Sequence, residues 1–257
     1  MIKIVFFDID GTLVSFKTHK VPFSTREAIS ELRKKGIKVF VATGRHKATI
    51  DNLDDIEFDG YITMNGAYCF AGDKVIFKEP IPKSNIDKLI EFQKNSFAFP
   101  VFFMAEHKLC VNYYNDDVHH LIKMINFPIL PVEPIEDMAN REIFQMVSFV
   151  DEDKAKSVLP LLVDCSDARW YHTFTDVINR NVSKKVGVAK VLEYYGFSQD
   201  EAMAFGDGGN DIPMLQAVTN SVAMGNAEQS VKSVSNYVTD TVDDDGILKA
   251  LKHFSLI

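Results

Sequence analysis

The stretch Ile4-Val5-Phe6-Phe7-Asp8-Ile9-Asp10-Gly11-Thr12-Leu13 constrains this chain more than any other. An apolar run rich in β-branched and aromatic residues reads as a buried strand. It ends in Asp8 and Asp10, followed by a glycine that turns the backbone where a bulkier residue could not. Carboxylates at the C-terminal end of a buried strand stand where open α/β sheets keep their ligands. They repel each other unless a cation or a proton sits between them. Mg²⁺ takes oxygen ligands of this kind, commonly one or two carboxylates with water and a substrate phosphate. Taken alone, Asp-x-Asp-Gly is equally compatible with a solvated turn, so the rest of the chain has to decide.

The pattern after this run repeats strand and helix. Ser24-Thr25-Arg26-Glu27 is a capping box, Ala28, Ile29 and Leu32 form an apolar stripe, and Gly36 stands at the expected helix stop. Ile37 to Ala42 is a second strand, running into Thr43-Gly44-Arg45; residues 46 to 53 read as helix. Gly60 to Met64 is a third strand, ending at Asn65-Gly66. Strands separated by crossover helices imply a parallel sheet, with all strand C-termini at one edge. Asp8, Thr43 and Asn65 are expected to meet there.

From about residue 82 the texture changes to strand pairs mixed with helices, the mark of an α+β module with an antiparallel sheet. Helices are expected at Ser84–Lys94, Asp116–Ile125 and Asp153–Val163, and strands at Val101–Met104, Lys108–Tyr114, Ile143–Val150, Arg169–Phe174 and Val177–Asn181. The first pattern resumes with Ser183 as N-cap of a helix to Tyr195, stopped by Gly196. Ala202 to Phe205 is a buried strand ending in Gly206-Asp207-Gly208-Gly209-Asn210-Asp211, and Ser221 to Met224 is another. The fold class is therefore α/β: a Rossmann-like parallel-sheet core at 1–81 and 182–257, with an α+β domain inserted at 82–181.

A formal net charge of −8 leaves no basic excess to neutralise nucleic-acid phosphates or an anionic membrane surface. A single small phosphorylated metabolite needs only local donors and stays open. Cys69, Cys110 and Cys165 are far apart and odd in number, which suits a reducing compartment. No apolar run approaches a membrane span, and Asp8 comes too early for a signal-peptide core. A cytoplasmic protein is expected.

Four groups fall at strand or helix ends that a doubly wound sheet would bring together: Asp8 with Asp10, Thr43 with Gly44, Lys184, and Asp207 with Asp211. Carboxylates, a lysine and strand-end N–H groups describe a site for Mg²⁺ and a phosphate. An aspartate is ionised at neutral pH and can attack phosphorus without a base. A second carboxyl group can protonate the leaving oxygen and later take a proton from water.

These motifs, in this order, resemble those of haloacid dehalogenase superfamily phosphatases, specifically the Cof-type branch whose large α/β cap (C2B type) follows the second motif. Asp8-Ile9-Asp10-Gly11-Thr12-Leu13 matches the first motif and Ala42-Thr43-Gly44-Arg45 the second. Ser183-Lys184 matches the third and Gly206-Asp207-Gly208-Gly209-Asn210-Asp211 the fourth. The resemblance implies Asp8 as nucleophile and Asp10 as general acid/base. It implies Mg²⁺ held by Asp8, the Asp10 carbonyl and Asp207 with Asp211 in support, and phosphate held by Thr43, Gly44, Lys184 and Asn210. The implied activity is hydrolysis of small phosphate monoesters, sugar phosphates above all, with the cap selecting the substrate. One departure stands out: the family follows its lysine with glycine, and here Lys185 follows. Helical spacing favours Lys184, which shares a face with Val188 and Val191, while Lys185 stays open as a substitute.

Other features have plainer readings. Arg45 reads as a structural ion-pair partner, and Asn65 as a turn residue or a substrate-facing one with equal weight. His119-His120 and Asp243-Asp244-Asp245 suit a solvated helix surface and a solvated helix start. Phe97, Phe99, Phe102 and Phe103 suit the core of the inserted domain. Two rival functions remain: a phosphomutase of the same superfamily, and a non-catalytic sensor of phosphate ligands, against which the intact Asp8/Asp10 pair speaks.

Overall fold

Period-two alternation decides the core. In the computed structural model, which describes residues 1–53 and 55–257 (of Trp170, the backbone only), the strand at Ile4–Phe7 is buried along its whole length. Val5 and Phe7 face one apolar cluster with Val39, Val41, Met203 and Phe205. Ile4 and Phe6 face a second with Phe40, Ala42, Ala202 and Ala204. A strand covered on both faces has to be apolar throughout, which is why it reads as an unbroken run.

The strands in chain order are β1 (Ile4–Phe7), β2 (Lys38–Ala42), β3 (Gly60–Thr63), β4 (Tyr68–Ala71) and β5 (Lys74–Lys78). Then come β6 (Val101–Ala105), β7 (Leu109–Val111), β8 (Ile143–Ser148), β9 (Cys165–Tyr171) and β10 (Phe174–Asn179). The last are β11 (Ala202–Gly206), β12 (Asn220–Ala223) and β13 (Tyr237–Val238). One sheet runs β13-β12-β11-β1-β2-β3-β4-β5, and the other β7-β6-β8-β10-β9. The described residues divide into two compact units, Met1–Lys78 with Ser183–Ile257, and Glu79–Val182. Ile81 goes with the second unit, its N–H donating to the Ile143 carbonyl at 2.7 Å.

In the first unit β1 pairs in parallel with both β2 and β11. The chain builds outward on one side through β3 and on the other through β12 and β13, so strand order reverses at β1. Such a reversal opens a crevice at the C-terminal strand ends, the usual ligand position in open α/β sheets. One face of the sheet is covered by the helices Phe23–Lys34 and Gly246–His253 through Ala28, Ile29, Leu32, Ile247 and Leu251. Lys184–Tyr195 covers the other through Val188, Val191 and Leu192.

The second unit carries the antiparallel sheet expected of residues 82–181. Its helices Lys83–Asn95, Asp116–Ile125 and Glu152–Val158 lie close to their expected spans, the last shortened by a 3₁₀ turn at Leu159–Leu161. Phe99, Phe102 and Phe103 are buried there as expected, and Phe97 is half-buried against the same cluster.

Several local expectations are overturned. The first helix begins at Phe23 with Pro22 as N-cap, and Ser24 lies inside it, donating its hydroxyl to Asp245. Proline's preset φ starts the helix ahead of the capping box. Residues 46–53 form only a 3₁₀ turn at Lys47–Thr49, where His46 Nδ1 accepts from the Ala48 N–H. β4 and β5 were not expected; they extend the sheet as an antiparallel tail joined by Gly72-Asp73, a two-residue hairpin signal. Asp243, Asp244 and Asp245 are exposed just ahead of the Gly246–His253 helix, as expected, and Asp243 also accepts from the Ser15 hydroxyl at 2.6 Å and pairs with Lys17. His119 and His120 are exposed on their helix, as expected, the first stacked on Tyr114 and the second 2.8 Å from the Tyr171 hydroxyl. Among the described residues, no helix is long and apolar enough to cross a membrane.

Candidate active site

Beyond β1 the backbone curls back on itself: Leu13 donates to the Asp8 carbonyl at 3.2 Å and Val14 to the Ile9 carbonyl at 2.8 Å. The curl requires Gly11 at φ +85°, where a Cβ would lie 2.1 Å from Asp207 Oδ2. Only glycine lets the carboxylate beyond β11 approach this closely. Thr12 secures it, donating its hydroxyl to Asp207 Oδ1 at 2.8 Å.

Lys184 is the buried cation of the site. Its Nζ lies 2.6 Å from Asp8 Oδ1 and 2.6 Å from Asp211 Oδ1, with no side-chain exposure. The Ser183 hydroxyl accepts from the Val186 N–H and starts the helix as its sequence implied. Gly66 fixes where that helix begins, because a Cβ there would meet the Ser183 carbonyl at 2.1 Å. Lys185, one position on, is exposed. The lysine that reaches the aspartates is therefore Lys184.

Asp211 is fully buried and uses both oxygens: Oδ1 accepts from Lys184, and Oδ2 from the N–H groups of Asp207 (3.0 Å) and Gly208 (2.9 Å). Ligand oxygens of Asp8, Asp207 and Asp211 all lie within 4.8 Å of one another. Asp10 stands apart from this trio. Its carboxylate takes both arms of Arg45, with Nε at 2.9 Å from Oδ2 and Nη2 at 2.6 Å from Oδ1. The ion-pair reading of Arg45 holds, and its partner is the second aspartate of the first motif.

Thr43 continues β2, its N–H donating to the Ile62 carbonyl at 2.8 Å and its hydroxyl accepting from the Arg45 N–H at 3.1 Å. Asn65 adopts φ +55° and accepts from Asn210 Nδ2 at 3.2 Å, with its amide against Gly44. It is thus a turn residue that also ties Gly44 to Asn210.

A family model of haloacid dehalogenase-like hydrolases matches residues 5–251. The chain belongs to the haloacid dehalogenase-like hydrolases. YkrA of Bacillus subtilis (strain 168) is 34% identical over 260 residues, spanning 99% of this chain and 98% of that one. The 5-amino-6-(5-phospho-D-ribitylamino)uracil phosphatase YcsE of the same organism is 28% identical, spanning 99% and 96%. Among solved structures, the subclass IIB sugar phosphatase BT4131 superposes with a TM-score of 0.88 at 43% identity, over 99% of this chain and 100% of that one. BT1666 from Bacteroides thetaiotaomicron superposes at 0.90 with 41% identity, over 100% and 96%. The protein is a phosphatase of this superfamily, with the separate antiparallel cap sheet of subclass IIB.

The electrostatics of this phosphatase follow from crowding. Burial pushes the Asp8 carboxyl well above the usual carboxylate range and Asp211 adds to it, while Lys184 opposes. Burial likewise pushes Asp207 up to about 7, against the hydrogen bond from Thr12. Burial alone would lower the Lys184 pKa, but Asp211 and Asp8 outweigh it and raise it, so the ammonium stays charged. Three carboxyl groups face one ammonium in a confined space, and ionising all three leaves a negative excess. An oxygen-only donor set of that charge fits a hard divalent cation.

Thr12 and Asn226 carry no site role in the sequence pattern, and each acts through a neighbour, while Asn65 takes the turn role that the sequence left level with a substrate-facing one. Thr12 lies inside the first motif, so its signal was present. Asn226 Nδ2 bonds the Gly11 carbonyl and Asp207, a contact no local pattern announces.

Proposed function

We propose that this hydrolase is a Mg²⁺-dependent phosphatase of small phosphate monoesters, sugar phosphates in particular, working through a phosphoaspartate on Asp8. The observation that carries the proposal is the 2.6 Å contact of Lys184 with both Asp8 and Asp211, beside Asp207 at the strand-order reversal. Asp8, Asp207 and Asp211 would hold the cation, with the Asp10 carbonyl. Mg²⁺ there supplies positive charge to the phosphoryl oxygens.

One Asp8 oxygen attacks phosphorus while the ester P–O bond breaks, its electron pair passing to the leaving oxygen. Asp10 gives that oxygen a proton, then takes one from the water that attacks the acyl phosphate, and free phosphate leaves. Lys184 stays protonated throughout and offsets phosphoryl charge, the main need in this chemistry. Thr43, the Gly44 N–H and Asn210 are assigned to the phosphate oxygens. Arg45 fixes the plane of the Asp10 carboxylate, and one of those two hydrogen bonds yields when the proton moves.

Support for sugar phosphates comes from relatives: BT4131 is a sugar phosphatase, and YcsE acts on a phosphorylated ribityl compound. Because the cluster is spent on cation and phosphoryl group, we assign choice of the alcohol to the 82–181 stretch. The test is phosphate release from a panel of sugar phosphates and an aryl phosphate, with Mg²⁺ and with chelator, beside Asp8→Ala. Metal-dependent release that falls by about a thousandfold or more in Asp8→Ala is expected. Isomerised sugar phosphate without free phosphate would turn the assignment to a mutase, and tight binding without turnover to a sensor.

A further inference from the structure

After β12 the chain turns through Gly225-Asn226-Ala227, and the Asn226 side chain is exposed. An exposed amide ordinarily satisfies itself with water. Here it is committed to the protein on every side: Nδ2 donates to the Gly11 carbonyl at 2.8 Å and to Asp207 Oδ2 at 3.2 Å. Its Oδ1 accepts from the Val242 N–H at 3.1 Å. The turn is held in turn by Gly225, whose N–H donates to the Asp240 carbonyl and whose carbonyl accepts from Lys232 Nζ.

Asp207 is half-buried, and one of its oxygens lies within 4.8 Å of carboxylate oxygens of Asp8 and Asp211, two like charges that repel it. Thr12 holds one of its oxygens and Asn226 the other, so the carboxylate is gripped from both sides. A carboxylate oxygen has two lone-pair positions and can accept such a bond while facing a cation. We propose that Asn226 is a positioning residue for Asp207, keeping that carboxylate with Asp8 and Asp211 and thereby setting the affinity of the trio for a divalent cation. This rests on the cation reading of the cluster. Hydrogen-bond partners of metal ligands typically govern about ten- to a hundredfold in affinity.

The test titrates Mn²⁺ into the full chain after chelation, following the free-ion paramagnetic resonance signal, in the parent, Asn226→Ala and Asn226→Ser. Thermal midpoints are measured alongside. A dissociation constant about tenfold weaker in both variants is expected, with a parallel rise in the Mg²⁺ concentration for half-maximal turnover and an unchanged KM for the ester at saturating Mg²⁺. If the alanine variant does not fold, the serine variant decides. A lowered thermal midpoint with Mn²⁺ affinity within twofold of the parent would mean that Asn226 only builds the turn, and would overturn the proposal. A parent that takes up no Mn²⁺ overturns the cation reading itself, a result distinct from a parent and variants that bind alike.

Discussion

The two units bury polar groups in opposite ways. In Met1–Lys78 with Ser183–Ile257, the buried polar residues include Asp8, Lys184 and Asp211, the lysine paired with both aspartates. Among the described residues of Glu79–Val182 the buried polar ones are Asn85, Gln93, Gln145, Ser148, Thr175 and Asn179, all neutral. Both units build a sheet covered by helices, so burial capacity does not separate them. The parallel sheet collects strand ends, and with them side chains from distant parts of the chain, at one crevice. The antiparallel sheet sends successive strands in opposite directions and, among the described residues, gathers no comparable buried charge cluster. Burying charge costs stability unless the partners are well arranged, and the first unit carries that cost where phosphoryl chemistry needs it.

The largest effect expected from this contrast is on Lys184. Lys184→Met leaves Asp8 and Asp211 buried without their cation and should cost about 3–5 kcal/mol in chemical denaturation with chelator present. Added Mg²⁺ should recover part of the loss. A change below about 1 kcal/mol in chelator would remove the energetic distinction between the units. Next comes a buried neutral group of the second unit. Asn85 donates to Asp164 Oδ2 at 2.8 Å and accepts from the Asp164 N–H at 3.3 Å. Asn85→Ala should cost about 1–3 kcal/mol, the penalty of stranded partners, and be insensitive to Mg²⁺. Mg²⁺-dependent recovery in that variant would break the comparison. The smallest effect is at the surface: the exposed Lys83–Asp87 pair spans one helical turn, and Lys83→Ala should change the unfolding free energy from chemical denaturation by less than about 0.5 kcal/mol.

Much of this was legible in the residues. β1 announces itself because a strand buried on both faces is apolar without interruption, and the Lys184 helix because Ser183 and Gly196 cap it in their expected roles. The misses share a cause. Ser24 and residues 46–53 obey local rules that a neighbouring proline and a bound histidine override. The β4–β5 hairpin hides because its outer strand is partly exposed and lacks clean alternation.

By itself the sequence singled out the candidate residues for the chemistry and placed them at strand and helix ends. Strand period, caps and turns are short-range properties, and each leaves a readable local pattern. Only the tertiary structure decided which of those residues share a site. Asp10, two positions from Asp8, turns to Arg45, while Asp207 and Asp211 from the far side of the chain join Asp8 around Lys184. The reason is physical: whether side chains meet depends on strand order and on close backbone approach at Gly11 and Gly66. Both are properties of packed neighbours, not of any one segment.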